Sequence, residues 1–334
     1  MVLRGGAKLN HASRVELYKI IEADRKSRVL ALVNSERIGL QTQIAKDAVV
    51  PFVNLLDDIG PVEKLSVILD TNGGQTSAAW RLINLIHSFC EDLEVIIPTK
   101  AMSAGTLMSL GADRILMTKQ AALGPIDPSL DGHALAPMTQ GPTGHPLRVS
   151  VSAEAVRGYI DEVKKDITDP TGLAAVWTHL ATQIHPLVLG EVFRAGTQIR
   201  LLANNLIKRQ VSDEAKQEEI IQLLCSDSGS HDYTINRRQA AEIGLNIEKP
   251  SGPLYKILVE VTKSYNSELK TLEPYSPQSI LAGQQSAQYE LVRGLIESTE
   301  ASYGFMTEGR LSVDPNGAVG TYTDQKSFEG WRRL

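Results

Sequence analysis

The spacing of apolar positions changes repeatedly along the first third of the chain. Short apolar runs predict buried β-strands at 28–34, 65–69, 93–97 and 114–117. Between and before them, apolar residues recur every three or four positions and predict helices at 13–24, 42–56, 77–89 and 103–110. Pro51 is expected to kink or divide the second of these helices. Alternating strands and helices predict an α/β fold with a mainly parallel sheet.

The remainder of the chain is predicted to be mostly helical. Residues 131–145, rich in Gly, Pro, His and Thr, predict an exposed loop. Helices are expected at 151–167, 185–205, 213–225, 236–244 and around 284–302, followed by a polar tail to the last residue. These patterns divide the chain into an N-terminal helical segment (1–27), one α/β domain (28–250) and a helical extension with a polar tail (251–334).

Composition narrows the class of protein. The 334 residues carry a formal charge of −5, with 42% hydrophobic and 22% charged residues, as in folded globular proteins. Mild acidity and an aromatic content of 5% argue against a dedicated nucleic-acid binder. Two cysteines exclude a disulfide scaffold and fit a reducing compartment. The N-terminus is unlike a signal peptide and no run reaches the roughly 18 apolar residues of a membrane span, so we expect a soluble cytoplasmic protein.

Two consecutive glycines, Gly73 and Gly74, stand between a predicted strand and a predicted helix. Glycines there let the backbone adopt dihedral angles closed to other residues and bring N–H groups close to a ligand. A plain tight turn is the alternative interpretation. The segment lacks the Lys-Ser ending of a phosphate loop and the spacing of a dinucleotide fingerprint, so neither a nucleotide nor any other cofactor is expected.

A serine stands at the start of the next predicted helix. Ser103 lies in the stretch KAMSAGT (100–106), directly after a strand and a proline. A helix N-terminus offers N–H groups and a positive dipole end to developing negative charge. An N-cap serine is the alternative. One helix and one strand separate the serine from the glycines, so adjacent parallel strands would bring both turns to the same edge of the sheet. A glycine N–H and the N–H of Ala104 would then form an oxyanion hole beside the Ser103 hydroxyl.

At this point the sequence resembles a known family. The stretches that carry the resemblance are LDTNGGQTSAAWRLINLIH (69–87), KAMSAGTLMSLGADRILM (100–117), LGPIDP (123–128), HDYTI (231–235) and AAEIGL (240–245). They resemble the serine dehydrogenase proteinases, a group of the Clp-type and signal-peptide-peptidase serine proteases. The resemblance covers about residues 28–248. It implies a Clp/crotonase-like fold of repeated ββα units, a nucleophilic serine at Ser103 and an oxyanion hole at Gly73, Gly74 and Ala104.

The general base departs from the pattern of the Clp-type proteases. Their histidine position falls near Asp127, which we interpret as a structural turn residue, while their orienting aspartate falls on Asp232. His231, beside Asp232, is one substitute base, with a hydrogen-bonded turn histidine as the alternative. A lysine base at Lys164 or Lys165 is a second, because signal-peptide-peptidase relatives use a serine–lysine dyad, although this pair also fits a solvated helix face.

Three further histidines need an interpretation. His185, at the start of a predicted helix, is a third candidate base, with a spacing that matches no known pattern. His133 and His145 lie in the polar loop without a cysteine or clustered carboxylates nearby. Their spacing matches no metal-ligand pattern, so no metal site is expected.

The first functional hypothesis is a serine peptidase, either ATP-independent or partner-dependent. The resemblance implies a homo-oligomer acting on peptides or unfolded proteins, with a partner protein as a possible source of substrate and residues 251–334 serving assembly. A crotonase-type acyl-CoA enzyme and a scaffold without catalytic activity are the alternatives. No nucleotide-binding fingerprint follows any predicted strand, so a hydride-transfer role is not expected.

Overall fold

The structure is a computed structural model that describes residues 10–126, 129–130, 134–140, 146–227, 233–314 and 320–334. The chain forms two compact units. The first comprises Met1–Gly124, Ile207–Ser212 and Thr234–Leu334, and the second comprises Pro125–Leu206 and Asp213–Tyr233. Residues of the predicted α/β domain at 28–250 occur in both units, and the predicted domain boundaries stay a prediction.

The elements are numbered in chain order. The helices are α1 (His11–Arg25), α2 (Val49–Ile59), α3 (Thr76–His87), α4 (Ala104–Leu110), α5 (Ala153–Asp166), α6 (Pro170–Gln183), α7 (Pro186–Ile207), α8 (Glu214–Gln222), α9 (Arg237–Glu242), α10 (Gly252–Glu268) and α11 (Pro277–Leu281). The strands are β1 (Arg28–Asn34), β2 (Val62–Asp70), β3 (Cys90–Ile97), β4 (Lys100–Ala101), β5 (Arg114–Met117), β6 (Ala122–Leu123), β7 (Ser129–Leu130), β8 (Met138–Gln140), β9 (Pro146–Arg148), β10 (Val151–Ser152), β11 (Ile235–Asn236), β12 (Ile247–Glu248), β13 (Ser286–Ser298), β14 (Ser302–Val313) and β15 (Tyr322–Arg333).

The first unit is built on an eight-stranded sheet in the order β12-β5-β3-β2-β1-β13-β14-β15. Strands β1, β2, β3 and β5 pair in parallel, as the sequence predicts, and β12, which was not predicted, adds in parallel to β5. From β1 onward the pairing is antiparallel. The α/β class is therefore correct, whereas the description "mainly parallel" fits only one half of a mixed sheet.

The helix predicted around 284–302 is wrong. Residues Ser286–Ser298 form β13, and much of the predicted polar tail forms β14 and β15. The helix-forming Glu, Leu, Gln and Ala in this segment favour a helix locally. Pairing with β1 on one side and β14 on the other overrides that propensity, because strand formation is decided by neighbours distant in the sequence. The long helix that the structure describes in this region is α10, at Gly252–Glu268, where no helix was predicted.

The prediction that Pro51 divides its helix is also wrong. A short 3₁₀ turn, Lys46–Ala48, leads into α2, and Pro51 lies in the first turn of that helix. In the first turn the backbone N–H has no intrahelical acceptor, so a proline costs no hydrogen bond.

One face of the sheet packs against α1 and α10. The buried side chains of this layer are Leu17, Tyr18, Ile21, Val29, Ala31, Val33, Ile68, Ile96, Leu116, Leu254, Leu258, Val261, Tyr265, Leu269 and Leu295. They come from both ends of the chain, so the N-terminal helix and the C-terminal strands share one core. The second unit has its own smaller core, in which Val151, Ala153 and Val156 pack with Val188 and Val192.

A buried ion pair joins these two ends of the chain. Arg14 on α1 and Glu297 on β13 are both fully buried, and the Arg14 guanidinium donates two hydrogen bonds, at 2.8 and 2.6 Å, to the two Glu297 oxygens. The hydroxyls of Tyr18 and Ser302 donate to the same carboxylate at 2.7 Å each. Burial by itself raises the pKa of Glu297, but the hydrogen bonds and charge of Arg14 hold the pKa below its usual value. The carboxylate is therefore ionised and fully partnered.

Replacing Glu297 tests the importance of this pair. We expect Glu297→Gln to lower the free energy of unfolding by about 3 kcal/mol, because Arg14 loses its fully buried counterion and keeps only the partly exposed Glu268. Urea unfolding followed by circular dichroism measures the change. Lys19→Met, which breaks an exposed ion pair with Glu16, is the control and should change stability by less than about 1 kcal/mol. Equal effects from the two variants would contradict the importance of the buried pair.

Candidate active site

The two turns singled out in the sequence lie at the same sheet edge. Strands β2 and β3 are parallel neighbours. Beyond their ends, Thr71 and Ala101 form an isolated parallel bridge, in which Thr71 N–H donates to Lys100 O at 3.1 Å and Met102 N–H donates to Thr71 O at 3.0 Å. This bridge extends the sheet by one step and brings the glycine turn beside the serine turn.

Gly73 lies directly against Ser103. A Cβ atom added to Gly73 would lie 2.6 Å from Met102 O and 2.8 Å from Ser103 Cβ, and the residue has a φ of +106°. Any other residue would have both a steric conflict and an unfavourable backbone conformation here. The glycine therefore permits an approach of the two turns that a side chain would prevent.

Gly74 is needed for a second close approach. A Cβ atom on it would lie 2.3 Å from the carbonyl oxygen of Ile44, and its φ is +143°. Ile44 N–H donates to Gly73 O and Gln75 N–H donates to Ile44 O, each at 2.8 Å. The segment after β1 thus fixes the glycine turn from the side opposite the serine turn.

Ser103 has an unusual backbone conformation. It precedes α4 as its N-cap residue with φ 50° and ψ −112°, although it is not glycine. Strained residues of this kind persist only where the surrounding structure fixes them, and they are concentrated at active sites. The side chain is partly exposed, and its hydroxyl has no hydrogen-bond partner within the described part of the chain. Ser103 therefore does not cap α4 by a side-chain hydrogen bond.

The N–H groups around the serine differ in availability. Gly73 N–H donates to Thr71 Oγ1 at 3.0 Å, and Thr71 Oγ1 in turn donates to Asn34 Oδ1 at 2.7 Å. The N–H groups of Gly74 and Ala104 donate to no acceptor among the residues that the structure describes. Two of the three predicted donors are thus unoccupied, while the third stabilises the turn.

The SAGT and LGP motifs meet through Thr106. Its buried hydroxyl lies 2.8 Å from the carbonyl oxygens of both Ala101 and Gly124, and it accepts the N–H of Gly124 at 3.1 Å. Gly105 provides room for the methyl group of Thr71, which would lie 2.6 Å from a Cβ on that glycine. These motif residues therefore hold the serine turn in place and have structural roles in this arrangement.

Several predicted residues lie outside the described part of the chain. They are His231, Asp232, Asp127, His133 and His145. The roles of His231 as base and Asp232 as its orienting group remain predictions.

The alternative bases that the structure does describe have other contacts. Lys164 and Lys165 on α5 are 55% and 67% exposed and form ion pairs with Asp161 and Glu162. Both side chains are exposed and held in ion pairs within their own helix, as on a solvated helix face. His185 precedes α7, and its Nδ1 accepts the N–H of Leu187 at 3.2 Å.

The sequence-based analysis missed Asp70, the last residue of β2. Its side chain is 9% exposed, and its Oδ1 accepts a hydrogen bond from Thr99 Oγ1 at 2.5 Å. Burial raises the pKa of Asp70 to about 6 despite this hydrogen bond, with Glu36 adding to the rise and Lys100 opposing it. The sequence did contain a signal for Asp70, because it is a charged residue at the end of a buried strand, just before the glycine turn.

Other kinds of site find no support within the described residues. There, no three His, Cys, Asp or Glu side chains are grouped so that they could hold a metal ion. No helix in that part of the chain combines the length and apolar character needed to cross a bilayer.

Comparison with protein families assigns the segment that carries both turns. A model described as "ClpP-like SDH-type serine proteinase" matches residues 6–140. Residues 6–140 are thus similar to that family of serine proteinases. The match confirms the serine dehydrogenase proteinase resemblance and the Clp-like α/β fold class. It includes Gly73, Gly74, Ser103 and Ala104, and it ends before the segment that contains His231 and Asp232.

Two curated relatives come from Methanocaldococcus jannaschii. The uncharacterized protein MJ0137 is 26% identical over 276 residues, which cover 79% of this chain and 84% of the relative. The uncharacterized protein MJ1495 is 24% identical over 244 residues, covering 70% of this chain and 71% of the relative. Neither name states an activity.

Several similar solved structures are proteases, and the likeness to them is distant. The 1510-N membrane-bound stomatin-specific protease is 16% identical, covering 64% of this chain and 79% of its own, with a TM-score of 0.37. ClpP1 from Listeria monocytogenes is 13% identical, covering 70% and 99%, with a TM-score of 0.36. The ClpP protease catalytic domain from Plasmodium falciparum is 11% identical, covering 75% and 96%, with a TM-score of 0.37. Their sequence identities and TM-scores are too low to assign a role to any residue of this chain.

A Gly73→Ala variant tests the close approach of the two turns. The added methyl group meets Met102 O and Ser103 Cβ at a positive φ, so we expect a loss of roughly 1–3 kcal/mol in the free energy of unfolding. Thermal unfolding measures it. Gly158→Ala on α5, where nothing lies within 4 Å of the added atom, is the matched control and should be neutral or stabilising by up to about 1 kcal/mol. A Gly73→Ala protein as stable as this control would contradict the geometry.

Asp70 is expected to make stability depend on pH. Because its pKa rises from 3.8 in the unfolded chain to about 6 in the folded protein, the folded state binds the proton more tightly. The stability associated with this group is complete below the lower value and is lost as pH rises through the higher one. Asp70→Asn removes this loss and should raise the free energy of unfolding at pH 8 by about 3 kcal/mol. Melting temperatures at pH 5 and pH 8 measure the effect, and a destabilised variant at pH 8 would contradict it.

Proposed function

We propose that this protein is a serine peptidase in which Ser103 is the nucleophile. The observation that carries the proposal is the juxtaposition of the serine and glycine turns. A strained, partly exposed serine at a helix N-terminus lies against Gly73, with the N–H groups of Gly74 and Ala104 left without acceptors in the described residues. The family assigned to residues 6–140 is one of serine proteinases, which supports the same chemistry.

The proposed reaction begins with attack of the Ser103 oxygen on a peptide carbonyl carbon. The carbonyl oxygen becomes an oxyanion, which accepts hydrogen bonds from the N–H groups of Gly74 and Ala104. The tetrahedral intermediate collapses to an acyl-enzyme and releases the amine, after which water attacks the ester and regenerates the serine. Gly73 does not bind the oxyanion in this proposal, because its N–H already donates to Thr71 Oγ1.

A base must take the serine proton and return it to the leaving amine. We assign this role to His231, oriented by Asp232. Its support is the resemblance of the HDYTI segment to the family and the exposure of the two alternative lysines. A scaffold without an active base is the second candidate, favoured by the lack of a partner for the Ser103 hydroxyl in the described residues.

The proposal also covers the oligomeric state, the cellular location and the substrate of the enzyme. We infer a homo-oligomer in the cytoplasm that acts on peptides or unfolded segments, delivered by a partner protein or reaching the site unaided. Cys90 and Cys225 are both buried and form no disulfide in the described part of the chain, which supports a reducing compartment.

A fluorophosphonate probe tests the nucleophile. We expect the wild-type protein to be labelled and Ser103→Ala to remain unlabelled, because the probe reacts only with an activated serine hydroxyl. Ser88→Ala is the control, since this exposed serine bonds only Asn84 O and should leave labelling unchanged. His231→Ala should lower the rate of labelling by at least about 100-fold. A folded wild-type protein that is not labelled would favour the inactive scaffold, and hydrolysis of an acyl-CoA thioester in preference to peptides would favour a crotonase-type enzyme.

A further inference from the structure

Asp70 and Thr99 connect the two strands that carry the active-site turns. Asp70 ends β2, and Thr99 immediately precedes β4. Their hydrogen bond therefore lies one step before the backbone bridge between Thr71 and Ala101. The proposed reaction makes no use of this buried carboxylate.

The charged neighbours of Asp70 do not neutralise it by an ion pair. Lys100 from β4 lies near Asp70, but its Nζ is 2.6 Å from Glu36 Oε1, so this ammonium group is already paired. Glu36, beyond the end of β1, adds a repulsive charge. On α10, the Tyr265 hydroxyl bonds that of Tyr18, and burial, Glu297 and, least of the three, Asp70 raise its pKa, so it remains neutral.

A buried carboxylate without an ion pair lowers stability. Such groups are commonly found where function requires them, at the cost of stability. Asp70 directly precedes the glycine turn, and its partner Thr99 precedes the serine turn. This position indicates that the function of Asp70 is to hold the two turns together.

We propose that Asp70 is a positioning residue whose ionised carboxylate, acting through Thr99, holds the serine turn in register with the glycine turn. The backbone register is a property of the fold, while its value for catalysis rests on the proposed peptidase function. With the register intact, the N–H groups of Gly74 and Ala104 stay beside Ser103.

The strength of the connection depends on the charge of Asp70. A hydroxyl donates a shorter and stronger hydrogen bond to a carboxylate than to a neutral acceptor. Because burial raises the pKa of Asp70 to about 6, the stronger bond exists at neutral pH and weakens as pH falls through that value. The turns are thus held most firmly at and above neutral pH.

Removing the charge of Asp70 should change the stability of the whole unit and the stability of the Thr71–Ala101 bridge in opposite directions. The burial cost of the carboxylate is recovered when the whole unit unfolds. A separation of the two turns breaks the Thr99 bond but leaves Asp70 buried at the end of β2. Removing the charge should therefore stabilise the unit against global unfolding and loosen the bridge locally. A residue with a merely structural role would change both in the same direction.

Amide hydrogen exchange tests the proposal in a Ser103→Ala background, where catalysis plays no part. The reporters are the amides of Thr71 and Met102, which close the bridge. After correction for the intrinsic pH dependence, we expect exchange to be about fivefold faster at pH 5 than at pH 7.5. Adding Asp70→Asn should give the fast rate at both pH values while raising the melting temperature at pH 8.

Variants of the donor separate hydrogen bonding from side-chain volume. Thr99→Val removes the hydroxyl and should give fast exchange at both pH values, whereas Thr99→Ser should restore the behaviour of the Ser103→Ala parent. The control is Asp92→Asn, at the other end of β3, where the carboxylate pairs with Arg114. It should leave the pH dependence of the two amides unchanged.

Two results would overturn the proposal. One is equal protection of both amides at pH 5 and pH 7.5 in the parent, and the other is an unchanged pH dependence after Asp70→Asn or Thr99→Val. Neither depends on fluorophosphonate labelling. A protein that shows the predicted exchange but is never labelled would retain the positioning contact and lose the peptidase function.

Discussion

The site depends on the contact between two backbone turns at the end of neighbouring parallel strands. Gly73 meets Ser103 and the carbonyl of Met102 so closely that no side chain fits between them. Thr71, bonded to Asn34 and to the N–H of Gly73, holds one turn, while Thr106, bonded to Ala101 and Gly124, holds the other. The strained conformation of Ser103 persists because both sides of the contact are fixed.

Buried carboxylates in the first unit differ in whether they have a cationic partner. Far from the turns, Glu297 is matched by Arg14, and Glu94 is matched by Arg25 and Lys64. Each of these carboxylates is fully buried and has cationic partners, as structural ions require. Asp70, beside the turns, has a hydroxyl donor and no ion pair among the described residues. This contrast distinguishes charges that hold the fold together from one that we connect with the site.

The parallel half of the sheet was predictable because its signals are local. Strands β1, β2, β3 and β5 are continuous apolar runs, and the helices between them have clear periodicity. The antiparallel half was not. Strand β13 contains residues that favour a helix in isolation, and its strand conformation depends on pairing with β1, which lies more than two hundred positions earlier in the sequence. Local propensity carries no information about such a partner.

The serine, the two glycines and the order of strand and helix that brings them to one edge could be predicted from the sequence alone. These follow from residue types and short-range spacing, and the similarity of residues 6–140 to a serine proteinase family agrees with them. The availability of each N–H group, in contrast, could be learned from the folded structure only. Gly73 N–H is taken by Thr71, which was not among the predicted site residues. The folded structure also revealed Asp70 beside Thr99, because contacts between strands arise from packing rather than from spacing along the chain.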